Sequence, residues 1–231
     1  MKEKSTVLVT GASAGIGAAT ASLLEERGFS VIRVSRSQGD IQLDLYKNES
    51  EHTLLTQLQS LHISSLKAWV HCPAESYQSA LLNIDLDQSD KVMQHNFTRI
   101  IALSKVLFPL LSSSPEGRVV QLSSIVAHKS AGDRSIYAAS KAALETWVRY
   151  TAKEWIQKGV RLNAVAPWYV RTPRTAERLK NPALQQEIEQ ITPIGRPAEA
   201  KEIAGVIAFL LSDDSSYIVG QTLLADGGLT L

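Results

Sequence analysis

Short apolar runs rich in β-branched residues alternate along this chain with longer stretches of helical periodicity. TVLVT (6–10) reads as a buried strand and GIGAATASLLEERG (15–28) as a helix closed by Gly28. SVIRVS (30–35) is the next strand, and IQLDL (41–45) follows too soon for a helix between them. ESEHTLLTQLQSL (49–61) is helical and KAWVHC (67–72) extended. The pattern then predicts a long helix over 87–112, a strand at 117–124, a helix over 136–158 and a strand at 159–167. Residues 172–195 are polar and broken by Pro173, Pro182 and Pro193, which suits a short helical flap. A helix over 198–212 and a strand in GQTLLADGG (220–228) close the chain. Strands alternating with helices predict an α/β fold whose parallel sheet, of about seven strands, carries helices on both faces.

The turn between the first strand and the first helix, TGASAGIG (10–17), is where chemistry first enters. Gly11, Gly15 and Gly17 let the backbone turn sharply and approach a ligand closely. The helix that follows presents free N–H groups and the positive end of its dipole, a setting for a pyrophosphate. Glycines used only for a tight turn are the plainer alternative.

Composition narrows the classes. The chain has 231 residues, 44% hydrophobic and 20% charged, with a net charge of +1. That is ordinary globular composition, with no basic excess to draw nucleic acid or an anionic membrane. Cys72 is the single cysteine, so no internal disulfide forms and a reducing cytoplasm is the expected setting. The opening stretch MKEKSTVLVTG is too short for a signal peptide or a membrane span. His, Cys, Asp and Glu show no metal-ligand spacing, so no metal is expected.

The glycine spacing Gly-x-x-x-Gly-x-Gly resembles that of the classical short-chain dehydrogenase/reductases, and the resemblance runs over nearly the whole chain. TGASAGIG looks like the family's cofactor turn, and SSIVAH with YAASK like its catalytic Ser and Tyr-x-x-x-Lys. RLNAVAPWYVRT is similar to the strand end that carries Asn-x-Val-x-Pro-Gly, and residues 195–228 to the C-terminal block. The resemblance implies a single Rossmann-type domain over 1–231 in which Asn96, Ser124, Tyr137 and Lys141 are catalytic. A hydride passes between nicotinamide and a substrate carbon while Tyr137 handles the proton on oxygen. Tyr137 and Lys141, four apart on a helix, share a face, and the ammonium is expected to lower the phenol's pKa. Asn96 is expected to kink its helix and hold a water against Lys141, which also holds the nicotinamide ribose. A strand-end turn residue for Ser124 and a helix-surface polar for Asn96 are the alternatives.

The same resemblance gives the cofactor positions Gly11, Ser13, Gly15, Ile16, Gly17, Ser35, Arg36, Asp44, Ala74, Tyr137, Lys141, Pro167, Val170 and Thr172. At the end of the second strand Ser35 stands where NAD-type members carry Asp, and Arg36 follows. A hydroxyl and a guanidinium suit a 2′-phosphate, so NADP is expected over NAD, unless Arg36 is only a solvated loop charge. Arg33 is a second candidate for the positive field. Asp44 matches the residue beside the adenine. The chain departs from the family at His71-Cys72-Pro73-Ala74, which replaces Asn-Asn-Ala-Gly, and at Trp168, which replaces the Gly after Pro167. These changes bear on cofactor affinity and pocket width, and the first leaves open an NADP-binding sensor or scaffold with vestigial catalysis. The helices at 87–112 and 136–158 are apolar on more than one face, which, with the resemblance, leads to an expected homodimer or homotetramer involving Phe108 and Trp147. A small-molecule carbonyl or alcohol completes the expected partners.

Overall fold

The computed structural model describes residues 5–231, so the first four residues of the polar opening stretch lie outside it. The chain runs β1 (Thr6–Thr10), α1 (Gly15–Glu26), β2 (Ser30–Ser35), β3 (Ile41–Gln42), α2 (Ser50–Ser60), β4 (Ala68–His71), α3 (Leu86–Met93), α4 (Arg99–Ser112) and β5 (Gly117–Leu122). It continues α5 (Ser135–Trp155), β6 (Val160–Pro167), β7 (Val170–Arg171), α6 (Pro182–Ile191), β8 (Ala198–Glu199), α7 (Ala200–Leu210) and β9 (Thr222–Ala225). Seven strands form one parallel sheet in the order β3-β2-β1-β4-β5-β6-β9. This is the expected Rossmann-type, doubly wound architecture.

Both faces of the sheet are buried, which explains the continuous apolar strands. Successive residues of β1 serve opposite cores. Leu8 packs with Trp69, Leu107 and Val148 on one side, and Val7 and Val9 pack with Leu24 and Ile207 on the other. The order reverses at β1, between β2 on one side and β4 on the other, and an open α/β sheet leaves a crevice there.

The expected long helix over 87–112 is interrupted. A π-helical segment, Gln94–Thr98, separates α3 from α4, and the buried Asn96 sits within it. The extra residue per turn swings Asn96 toward the neighbouring loop, where its amide is satisfied. The predicted strand at 41–45 pairs only at Ile41–Gln42, because the chain turns away through Asp44, whose carboxylate accepts from Tyr46 N–H at 3.1 Å. The predicted flap contains α6, whose first turn is capped by Asn181 with Pro182 at its start. A two-residue ladder between β7 and β8, which the apolar pattern does not announce, ties the start of the flap to the start of α7.

Candidate active site

The glycine turn is set by one close approach. A Cβ on Gly17 would lie 2.2 Å from the carbonyl oxygen of Gly11, so α1 can pack against the end of β1 only with glycine there. Gly11 has φ +76°, and its N–H donates to Val34 O at 2.8 Å, fastening the turn to β2. Gly15 brings the turn against Thr172, whose Cγ2 would be 3.1 Å from an added Cβ. No side chain caps α1, so its first N–H groups remain open to a ligand.

Two cavities meet at this end of the sheet. One, of about 560 Å³, is lined by Gly11, Ser13, Ser35, Arg36, Asp44 and Tyr46. The other, of about 320 Å³, is lined by Ser124, Tyr137, Lys141, Pro167, Val170 and Thr172, with Ile16 at its edge. Cys72, Ala74, Ser76 and Arg174 line both and form the seam between them. Gly15 and Gly17 shape the turn behind this cleft without lining either cavity.

Ser124 follows the end of β5, and its Oγ accepts from Val126 N–H at 3.5 Å as the cap of a short 3₁₀ turn. Tyr137 and Lys141 project from the first turns of α5. Lys141 is 1% exposed; its Nζ donates to Leu122 O at 2.8 Å and lies 5.8 Å from the Tyr137 ring centroid. Burial brings the Lys141 ammonium down to about 7, with the Arg174 charge adding to the effect. Burial also raises the Tyr137 phenol, against the pull of the Arg174 charge, a hydrogen bond with Ser124 and the Arg134 charge. The expectation that Lys141 lowers the Tyr137 pKa is therefore not met. The Lys141 ammonium is turned to the Leu122 carbonyl, and the charges that pull the phenol down are those of Arg174 and Arg134.

Asn96 stands outside both cavities. Its Oδ1 accepts from Glu75 N–H at 2.7 Å, and its Nδ2 donates to Glu75 O at 2.8 Å and to Ser140 Oγ at 3.0 Å. It thus braces the loop after β4 against α5, the helix of Tyr137 and Lys141. That loop is tied in a second way. Thr10 Oγ1 donates to Val70 O at 3.1 Å and shares a hydrogen bond of 2.9 Å with His71 Nδ1, linking β1 to β4 where the family's Asn pair is missing. Burial drives His71 down to about 3, so this ring is neutral, and pushes the Cys72 thiol up to about 12, so it is no nucleophile.

At the other end of the cleft, Ser35 is buried and its hydroxyl is already engaged with the backbone of Gln38. Arg36 lines the groove and makes no ion pair among the described residues. Arg33 does not contribute to the groove: it pairs with Glu25 of α1 at 2.8 Å. Tyr46, stacked on His95 with centroids 3.9 Å apart, adds an aromatic wall that the sequence reading missed. It also missed Arg134, Tyr169, Arg174 and Arg178, which come from three separate segments and carry no motif. Among the described residues no group of three or more His, Cys, Asp or Glu could hold a metal ion, and no helix is long and apolar enough to cross a membrane.

Residues 11–230 match the family profile described as Enoyl-(Acyl carrier protein) reductase. A tropinone reductase homologue of Arabidopsis thaliana is 30% identical over 98% of this chain and 92% of its own length. Among solved structures, a 4-hydroxyisoleucine dehydrogenase complexed with NADH superposes with a TM-score of 0.91 at 26% identity, covering 98% of this chain and 99% of that one. A chain from Beutenbergia cavernae, assigned as an NAD(P)-dependent gluconate 5-dehydrogenase and holding NADP at low occupancy, gives 0.89 at 28% identity, with 97% and 96% covered. The protein belongs to the short-chain dehydrogenase/reductase family of oxidoreductases.

The buried lysine predicts a pH dependence of stability. Unfolded, Lys141 keeps its proton up to its ordinary 10.5; folded, it loses it near 7. Between those values the unfolded chain binds more protons, so this group's contribution makes stability rise with pH. Lys141→Met removes the cost of the buried charge. Its gain in urea-denaturation midpoint over the parent is expected to be larger at the acidic end of this range than at the alkaline end.

Proposed function

We propose that the protein is an NADP(H)-dependent oxidoreductase acting on an alcohol/carbonyl pair, with Tyr137 as the acid/base. The observation that carries this reading is the single cleft in which Ser124, Tyr137 and Lys141 line one half and the glycine turn lines the other. The cradle between Gly11 and Gly17 and the uncapped start of α1 fit a dinucleotide pyrophosphate. When bound, the nicotinamide supplies or accepts the hydride. The chain's own residues do the rest. Tyr137 holds the proton destined for the substrate oxygen, and Ser124 orients that oxygen by a hydrogen bond. Lys141 serves the ribose and keeps the floor of the cavity polar. Asn96 is a positioning residue that fixes the loop at Glu75 relative to α5.

The choice of NADP rests on Arg36, a guanidinium at the end of β2 with no carboxylate at position 35. Solved relatives hold NADH in several cases and NADP in another, so the proposed preference rests on such local residues. A single Rossmann-type domain, a cytoplasmic location and assembly as a homodimer or homotetramer complete the reading. Phe108 and Trp147 partly serve the chain's own core, through Trp155 at 4.8 and 6.2 Å. Tyr150, 75% exposed on α5, is the better candidate for a subunit contact.

Tyr137→Phe keeps the ring and removes the proton donor, so NADPH-linked turnover is expected to fall by about 10²–10⁴-fold while cofactor titration by fluorescence is unchanged. Turnover retained by this variant overturns the reading. Arg36→Asp is expected to weaken NADPH and spare NADH in the same titration; equal affinities in the parent contradict the NADP preference. Light scattering is expected to give a multiple of the 25.2 kDa chain mass, with Tyr150→Glu shifting it down.

A further inference from the structure

The half of the cleft that holds Tyr137 is lined by three arginines, Arg134, Arg174 and Arg178, and by no Asp or Glu. Arg134 comes from the start of α5, and Arg174 and Arg178 from the flap. Among the described residues none of the three is in an ion pair. The nearby acids look elsewhere. Glu177 pairs with Lys180 at 2.7 Å, and Asp133, which shares a neighbouring surface hollow with Arg134, makes no ion pair with it.

Arg134 and Arg178 converge on one residue. Their guanidinium carbons lie 5.9 and 5.8 Å from the Tyr169 ring centroid, and each donates to its hydroxyl, at 3.4 and 3.2 Å. A neutral phenol holds both in place and neutralises neither. Two donors of the lining also lack a partner. Arg134 Nε and the indole N–H of Trp168 are buried without a partner, and they are the only such side-chain atoms among the residues lining it. Arg174 is differently placed: it sits on the seam, lines both cavities and donates to Ala74 O at 2.9 Å. Of the two cavities of the cleft, Arg134 and Arg178 line only the one that holds Tyr137, and Arg134 also borders the neighbouring surface hollow.

Like charges gathered beside buried unpaired donors cost stability unless something with only acceptors completes them. We infer that the substrate carries an anionic group, a carboxylate or a phosphate ester, a few atoms from its carbonyl or alcohol carbon, and that Arg134 and Arg178 receive it. This deepens the oxidoreductase reading and rests on it. The cavity volume of about 320 Å³ suits a small oxo or hydroxy acid. The two guanidiniums, pre-set on Tyr169, lose little freedom on binding, which favours bidentate recognition.

The test pairs each anion with its neutral analogue at saturating NADPH: pyruvate and levulinate against their methyl esters, and dihydroxyacetone phosphate against dihydroxyacetone. The charged member of at least one pair is expected to have the higher kcat/KM, by about 10–100-fold, the range of a charge-assisted hydrogen bond. Which pair responds tells carboxylate from phosphate. In the double variant Arg134→Gln/Arg178→Gln that ratio is expected to collapse toward one, whereas the exposed Arg149→Gln keeps it. Turnover of the neutral members with equal or better kcat/KM overturns the anion assignment and leaves the oxidoreductase reading standing. If nothing is turned over, it is the oxidoreductase reading that fails on these probes, and binding decides the anion site. Calorimetric titration of the protein–NADP⁺ complex with succinate, with succinamide as the neutral control and inorganic phosphate as the second anion, is expected to show saturable binding of an anion, weakened at least about tenfold by the double variant. No saturable anion binding, or binding that the double variant leaves unchanged, overturns the inference.

Discussion

Burial of the sheet on both faces is the constraint on which the rest of this molecule depends. With α1 and α7 on one side and α2, α4 and α5 on the other, no functional side chain can project from the middle of a strand. Chemistry is forced to the strand ends. The glycine turn after β1, the His71–Ala74 loop after β4, Ser124 after β5 and Trp168 after β6 all lie at that one edge, and the cleft is the space they leave. The close contact of Gly17 with the Gly11 carbonyl keeps α1 pressed to the sheet and its N-terminus aimed into the cleft.

The same burial sets the electrostatics. Lys141 and Tyr137 are held where water cannot stabilise charge, so the lysine moves toward neutrality and the phenol toward the protonated form. Arg174 and Arg134 oppose the phenol's shift, whereas Arg174 deepens the lysine's. Arg174, on the flap, donates to Ala74 O, and its charge is one of those that oppose the rise of the Tyr137 phenol. One guanidinium thus links the flap, the loop after β4 and the electrostatics of Tyr137.

Asn96 illustrates how a helix defect becomes a brace. The π segment costs regular hydrogen bonding, and the buried amide recovers it by holding both the N–H and the C=O of Glu75. The link to Ser140 carries that fixation into α5. With His71 bonded to Thr10, it secures a loop that lacks the Asn side chains usual in the family, so His71-Cys72-Pro73-Ala74 ties β1 to β4 in another way.

What the amino-acid order determined by itself was local. The alternation of apolar runs and helical periods carried the succession of strands and helices and a parallel sheet covered on both faces, because burial on two faces writes itself into each strand as an unbroken apolar run; the order of the strands in the sheet came only with the fold. The Gly11–Gly17 turn and the four-residue spacing of Tyr137 and Lys141 were legible because each requirement is met within one turn of chain. Tertiary structure decided everything that depends on segments far apart in sequence. Ser35 reads as a free hydroxyl until the turn at Gln38 engages it, and Arg33 reads as a free cation until Glu25 packs beside it. The lysine's lowered pKa has no trace in YAASK, because desolvation is a property of the whole enclosure. The convergence of Arg134 and Arg178 on Tyr169 was invisible for the same reason: each arginine is an ordinary surface charge in its own segment, and only the packing of the flap beside the start of α5 brings them together.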